Sequence, residues 1–285
     1  MRIGSEEHKE LFCRSYMESH IDYEPEKLSW PELDAESLDR LRKVPFWEEA
    51  LNTELRAGAI IKAYLPYVDD PLVREAIALQ GEEESRHGRL FRFLIDFYGV
   101  ELTGKLPDAP SEKAESGFVD FGYGECLDSF LGFGLFKIAN EANFLPQPLF
   151  DIFDLLLQEE AKHVVFFVNW IAYLQAVRGR GHGVLRGATS LVNYTKAVQR
   201  LVALVGESSG TDGTDFTPTE ASTFLEDFSI DRLLSVCLAE NERRMGEFDP
   251  RLLKPSLLPS LAKVALSTIR PFTRRKSESS EAMAS

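Results

Sequence analysis

The sequence predicts an all-α protein, a bundle of two helical hairpins with extra helices at both ends. Three observations carry that expectation. Apolar residues recur at helical spacing, as in Trp47, Leu51, Leu55, Ala59, Ile60 and Tyr64. Almost no alternating strand pattern occurs anywhere in the chain. A short pattern occurs twice, as Glu83-Glu84-Ser85-Arg86-His87 and Glu159-Glu160-Ala161-Lys162-His163. Large apolar residues follow each copy (Leu90-Phe91 and Phe166-Phe167), and each copy falls in the second helix of its hairpin.

Residues 1–44 form an N-terminal arm expected to pack on the bundle. It holds a short helix from Glu6 to Ser19, a Pro-containing segment from Asp22 to Leu33, and a helix capped by Asp34 that leads to Lys43. Pro45 suits a helix start and opens the first hairpin. Its turn is Val68-Asp69-Asp70-Pro71, with Asp70 as N-cap and Pro71 at the first helical position. The second helix runs to Tyr98 and stops at Gly99. Residues 100–116 are a Pro/Gly/Ser-rich crossover. The second hairpin covers 120–177, with its turn placed at Pro146-Gln147-Pro148, since two prolines this close break a helix interior. Gly179, Gly181 and Gly183 end it, so the bundle domain is 45–178. A C-terminal helical extension spans 179–276. It contains a helix within 184–205, a loop from Gly206 to Asp215, a helix start at Thr217-Pro218-Thr219-Glu220, and helices over Ile230–Met245 and Leu257–Ile269. Residues 277–285 read as a disordered tail.

Composition narrows the function. The chain has 285 residues, 44% hydrophobic and 27% charged, which suits one large domain with appendages. No run of about eighteen apolar residues occurs, so no membrane span is expected. Met1 to Glu10 is polar and charged, unlike a secretory signal. Cys13, Cys126 and Cys237 are far apart and form no C-x-x-C pair. They read as reduced thiols of a cytoplasmic protein without a rubredoxin or zinc-ribbon appendage. A net charge of −14 disfavours the phosphate backbone, so no nucleic-acid partner is expected. The basic cluster Arg270 to Lys276 reads as a solvated tail.

The repeated pattern suits metal. Side chains at i and i+3 of a helix are neighbours across one turn. Glu84 and His87 then reach one centre from one helix, and Glu160 and His163 reach it from the facing helix. Sites of this kind take one further Glu from each remaining helix of the bundle. Glu54 lies as far before the first turn as Glu84 lies after it, so antiparallel helices bring the two level. In the second hairpin a turn near 147 places the level position at Phe133 or Gly134. Glu125 is the preferred candidate there, with Asp128 and Glu141 as alternatives. Glu82, Glu83 and Glu159 are expected to face solvent or to pair with Arg86 and Lys162. Glu240 and Glu242, beside Arg243 and Arg244, read as a charged helix face. His8 and His20 receive no role, and His182 reads as a surface residue. Phe130, Phe133, Phe136, Phe166 and Phe167 read as core. Tyr64 and Tyr194 are not placed.

Glu54, Glu84-x-x-His87, Glu125 and Glu160-x-x-His163 resemble the ligand set of the ferritin-like di-iron carboxylate superfamily. The resemblance covers roughly residues 45–177, and Glu125-Cys126-Leu127 is similar to the third-helix motif of aldehyde-deformylating oxygenases. The second hairpin departs from it, being about six residues longer between these ligands. The resemblance implies that Glu54 and His87 cap one iron, that Glu125 and His163 cap the other, and that Glu84 and Glu160 bridge the pair. Two Fe ions are the implied cofactor, with Fe/Mn or Mn as alternative occupants. The implied activity is that of an O2-activating oxygenase or oxidase acting on a small organic substrate, with an electron donor as partner. An iron-handling protein (ferroxidase, storage or peroxide scavenging) and a metal-free helical scaffold are the alternatives. A homodimer is compatible with the sequence.

Overall fold

The computed structural model describes residues 1–106, 113–179, 187, 189–199 and 229–268. Among these residues the secondary structure is helical and no strand occurs. The predicted stretch 206–220, His182, the basic cluster 270–276 and the tail lie outside the described residues.

Local chemistry sets the helix ends. Helix α1 is Glu6–Glu18, and the Ser5 hydroxyl accepts from His8 N at 3.3 Å. Helix α2 is Ala35–Arg42, capped by Asp34, which accepts from Ser37 N at 2.7 Å. Helix α3 is Trp47–Tyr64. Pro45 sits just outside it, and Phe46 takes the N-cap position without a side-chain bond. Helix α4 is Pro71–Tyr98, where Asp70 accepts from Leu72 N (3.0 Å) and Val73 N (3.2 Å). Gly99 ends it at φ 61°, a left-handed conformation that glycine adopts without a Cβ penalty. Helix α5 is Ala114–Glu141 and helix α6 is Gln147–Val177. Residues 189–199 form α7, Ile230–Gly246 form α8, and residues 257–268 form α9.

Helices α3, α4, α5 and α6 form the centre of the molecule. α3 packs on α4, α5 on α6 and α3 on α5, while α4 also meets α6. α1 lies against α4 and α6, and α8 lies along α5. The inward stripe of α3 differs from the expected one. Leu55 is 47% exposed and Ala59 is exposed, whereas Trp47, Leu51, Ala57, Ile61 and Tyr64 are buried. Glu54 falls on that buried stripe, between Leu51 and Ala57.

Apolar burial divides into two cores. One contains Trp47, Leu51, Leu90, Phe91, Leu149 and Leu156. The other contains Ala57, Ile61, Ile77, Phe118, Phe133, Val164 and Phe166. On α3, α4 and α6 the residues between these cores are Glu54, then Glu83 to His87, then Glu159 to His163. The bundle therefore holds a polar layer enclosed by apolar residues on both sides.

The connection between α5 and α6 is residues 142–146, with Asn143 at φ 51°. Its centre lies at 144 rather than 147, so the position level with Glu160 is near 128, not 133–134. Glu125 is one helical turn from that level. Gly134, at the originally expected position, has another task. A Cβ there would lie 2.3 Å from Cys237 Sγ and 2.9 Å from Cys237 N, because α8 crosses α5 at this point. An exposed helical Gly→Ala change ordinarily stabilises. Gly134→Ala is expected instead to cost about 1–3 kcal/mol by forcing α8 off α5. Urea unfolding of the variant checks this, and a stability equal to wild type would contradict the close approach.

Candidate metal centre

Two groups of side chains converge in the polar layer. Glu54, Glu84, His87 and Glu160 bring ligand atoms within 4.8 Å of one another, and Glu84, Glu125 and His163 do the same. His87 Nδ1 lies 3.0 Å from Glu160 Oε1, 3.5 Å from Glu54 Oε2 and 3.7 Å from Glu84 Oε2. His163 Nδ1 lies 3.2 Å from Glu84 Oε1 and 3.8 Å from Glu160 Oε2. Glu84 and Glu160 thus each face both imidazoles, whose ring centroids are 5.6 Å apart. Glu54 sits on the His87 side and Glu125 on the His163 side. Asp128 is solvent-exposed, and Glu141 is exposed and pairs with Lys137 (3.5 Å) and Arg232 (3.9 Å). Neither joins the cluster.

The next shell corrects the reading of Glu83 and Glu159 as solvated residues. Both are 0% exposed. Glu83 accepts from His163 Nε2 (2.9 Å), Lys162 Nζ (2.8 Å), the Tyr16 hydroxyl (2.6 Å) and His20 Nδ1 (2.7 Å). Glu159 accepts from His87 Nε2 (3.0 Å), Arg86 (2.5 Å) and the Tyr23 hydroxyl (3.2 Å). Each copy of the repeat therefore supplies the partner of the other copy's histidine. The expected pairing with Arg86 and Lys162 occurs mainly across helices; the same-helix distances are 4.0 Å and 3.8 Å.

The N-terminal arm continues this approximate two-fold relation. Lys162 Nζ stands over the Tyr16 ring at 5.2 Å, and the Arg86 guanidinium over Tyr23 at 4.4 Å. Tyr16 and Tyr23 were not singled out in the sequence, and His20 was given no role. Their hydroxyl and imidazole groups are ordinary in a polar arm, and only docking brings them to Glu83 and Glu159. A signal for those two carboxylates did exist. Both repeats read Glu-Glu, so the residue four before each histidine is carboxylate in both. His8 acts elsewhere, bonded through Nε2 to Asn169 Oδ1 at 3.0 Å. Tyr64 stacks on Phe118 at 4.3 Å and Tyr194 meets Tyr123 at 4.9 Å, both outside the cluster. Arg244 is buried against Asp154 (2.6 Å) and the Phe133 ring (5.0 Å), so the α8 face that bears it is not simply solvated.

Charge separates the two shells. The outer carboxylates have fixed cations, Lys162 on Glu83 and Arg86 on Glu159. Burial would raise Glu83, but His163 and Lys162 outweigh it and hold the carboxyl well below its ordinary range. The four inner carboxylates have no Lys or Arg among these partners. Burial, with Glu160 and Glu84 nearby, pushes Glu54 up to about 8 and Glu125 well above the carboxylate range. Burial would lower His87, but contacts with Glu159 and Glu160 hold it well above its ordinary range. Burial would likewise lower His163, and Glu84 and Glu160 reverse that. Protons thus balance the inner carboxylates in this state.

The donor set fits two divalent cations. His87 Nδ1, His163 Nδ1, Glu84 Oε2 and Glu160 Oε1 are buried atoms that make no hydrogen bond of good geometry, although His87 Nδ1 and Glu160 Oε1 lie 3.0 Å apart. Buried polar atoms are ordinarily satisfied, so four orphans aimed at one space point to a ligand. Glu159 and Glu83 take the two Nε2–H groups, so each Nδ1 faces inward and would offer its lone pair to an ion once its proton leaves. Four carboxylate charges match two divalent ions. Cys13, Cys126 and Cys237 are buried elsewhere as free thiols. Among the described residues no helix is long and apolar enough to cross a membrane. Comparisons with family models, with curated proteins and with solved structures gave no match for this chain.

Proposed function

We propose that this chain is a ferritin-like di-iron protein that activates O2 for the oxidation of a small organic substrate. The observation that carries the reading is the inner shell: four carboxylates and two imidazoles converge there, and His87 Nδ1, His163 Nδ1, Glu84 Oε2 and Glu160 Oε1 make no hydrogen bond. Oxygen-rich sites with imidazole suit iron and manganese, whereas thiolate-rich sites suit zinc. Glu54 and His87 would hold one ion, Glu125 and His163 the other, and Glu84 and Glu160 would lie between them. Bound iron would supply the electrons that dioxygen needs, replenished by an external donor. Glu83 and Glu159 hold the protons on Nε2 of His163 and His87 and fix both rings. The apolar cores on either side exclude water from the layer. A cavity one helical turn beyond His163 favours an organic substrate over bulk iron storage.

The test is anaerobic loading with Fe(II), followed by metal analysis and absorbance on exposure to O2. About two irons per chain and an O2-dependent absorbance change are expected. Less than one iron per chain would remove the di-iron reading.

A further inference from the structure

A cavity of about 240 Å³ opens along α6 beyond His163, and none of the inner carboxylates or imidazoles lines it. Its walls include Tyr123, Phe167 and Ile171 of the bundle, Tyr194 of α7, and Lys254. Position within the helices places it near the metal centre. Phe167 and Ile171 follow His163 by one and two turns on the same face of α6, so the wall begins about 6 Å along the axis from that histidine. Tyr123 precedes Glu125 by two residues on the antiparallel α5. Tyr194 bonds the Cys126 thiol, next to Glu125.

Phe167 forms the partition. Its ring fills the space over Gly122, where a Cβ would lie 2.1 Å from Phe167 Cε2. It meets Tyr123 edge to face at 5.3 Å, and Tyr123 meets Tyr194 in the same way at 4.9 Å. The rings leave an aromatic-walled space, and aromatic ligands favour such edge and face contacts. The volume is several times the roughly 30 Å³ of a liquid water, enough room for one substituted benzene ring.

Charge decides the head group. The chain carries 46 acidic and 32 basic residues, yet among the described residues no Asp or Glu lines this cavity and Lys254 does. Lys254 Nζ donates to Phe248 O at 3.2 Å, and Asp249 in the same loop, bonded to Arg251 at 2.6 Å, also feels the Lys254 charge. The loop is fixed by Asn169, which accepts from Leu253 N (3.0 Å) and donates to Leu253 O (2.9 Å).

We propose that this cavity binds the organic substrate of the metal centre, and that the substrate is a compact aromatic carboxylate. Its ring lies among Tyr123, Phe167 and Tyr194, and its carboxylate meets Lys254. The assignment of the ligand as substrate rests on the di-iron reading; the binding site itself does not.

Two measurements separate these. Calorimetry on the metal-free full chain compares benzoate, benzyl alcohol and benzylamine. Benzoate is expected to bind about tenfold tighter than either neutral or cationic analogue, and Lys254→Met to remove that advantage. Gln175→Trp, on the half-exposed rim, should block all three. No benzoate binding at millimolar concentration, equal binding of benzylamine, or wild-type binding in both variants would overturn the site. The second measurement adds benzoate to the Co(II)-loaded chain and reads the visible spectrum. A spectral shift in wild type but not in Gln175→Trp supports the substrate assignment. Binding without a shift would overturn that assignment and leave a separate site. Failure to take up Co(II) would count against the metal reading alone, with the calorimetry still standing.

Discussion

Replacing Glu54 and Glu125 together by glutamine is expected to leave the metal-free protein as stable as wild type and to abolish its stabilisation by metal. Both carboxyls are pushed up by burial and by the neighbouring Glu160 and Glu84, Glu54 to about 8 and Glu125 well above its ordinary range. At pH 7 the metal-free chain therefore holds both largely protonated. Glutamine is close in shape to a protonated glutamate, so little changes in that state. The metal-bound state differs, because two of the four charged ligands are gone. An ion present at about 1,000 times its Kd stabilises by about 4 kcal/mol. For 285 residues, each contributing about 2 cal/mol/K of unfolding entropy, that corresponds to a Tm rise of about 7 °C. Thermal melts with and without Fe(II) or Mn(II), under anaerobic conditions, read both states. The expected result is that rise in wild type and its absence in the double variant. A double variant that still shows the full rise would remove Glu54 and Glu125 from the ligand set.

Glu83→Ala should do the reverse and damage the protein whether or not metal is present. The substitution leaves the Lys162 ammonium, whose side chain is only 5% exposed, with Ser19 O at 3.3 Å and Glu159 at 3.8 Å, and takes the acceptor from Tyr16, His20 and His163. Breaking a buried pair on one side costs about 3–5 kcal/mol, because the remaining charge keeps only weaker partners. Chemical denaturation of the metal-free chain measures it. Adding Lys162→Met should recover part of the loss, since that charge is then removed, and the double-mutant cycle gives the coupling. A loss below about 1 kcal/mol would mean that Glu83 is solvated after all. Glu83 and Glu84 are adjacent in sequence, yet they belong to different shells. One is matched to a fixed cation and holds the fold together. The other faces a space that only protons or metal ions balance.

Much of this architecture was legible in the sequence because its causes are local. Asp34, Asp70, Pro71 and Gly99 mark helix ends through bonds to backbone groups within three residues or through a single φ angle. The same holds for the i, i+3 spacing of Glu84 with His87 and of Glu160 with His163, which helix geometry places on one face without reference to any other segment. The doubled pattern then pointed to two helices facing one centre, and Glu54 followed from antiparallel register.

What the tertiary structure decided depends on contacts between distant segments. Glu83 and Glu159 look like any charged pair on a helix until the facing helix brings an imidazole and a cation to each. His20, Tyr16 and Tyr23 join that network only because α1 docks on α4 and α6. Choosing Glu125 over Asp128 and Glu141 required the rotation of α5 in the bundle: the connection at 142–146 brings Asp128 level with Glu160, yet Asp128 faces solvent and Glu125 is buried. Leu55 is apolar and exposed while Glu54 is polar and inward, because the rotation of α3 follows the packing of the whole layer rather than the hydropathy of single residues. Helical periodicity is a short-range property of one chain segment. Charge balance in a buried layer is a property of all four helices at once, and so it appears only when they meet.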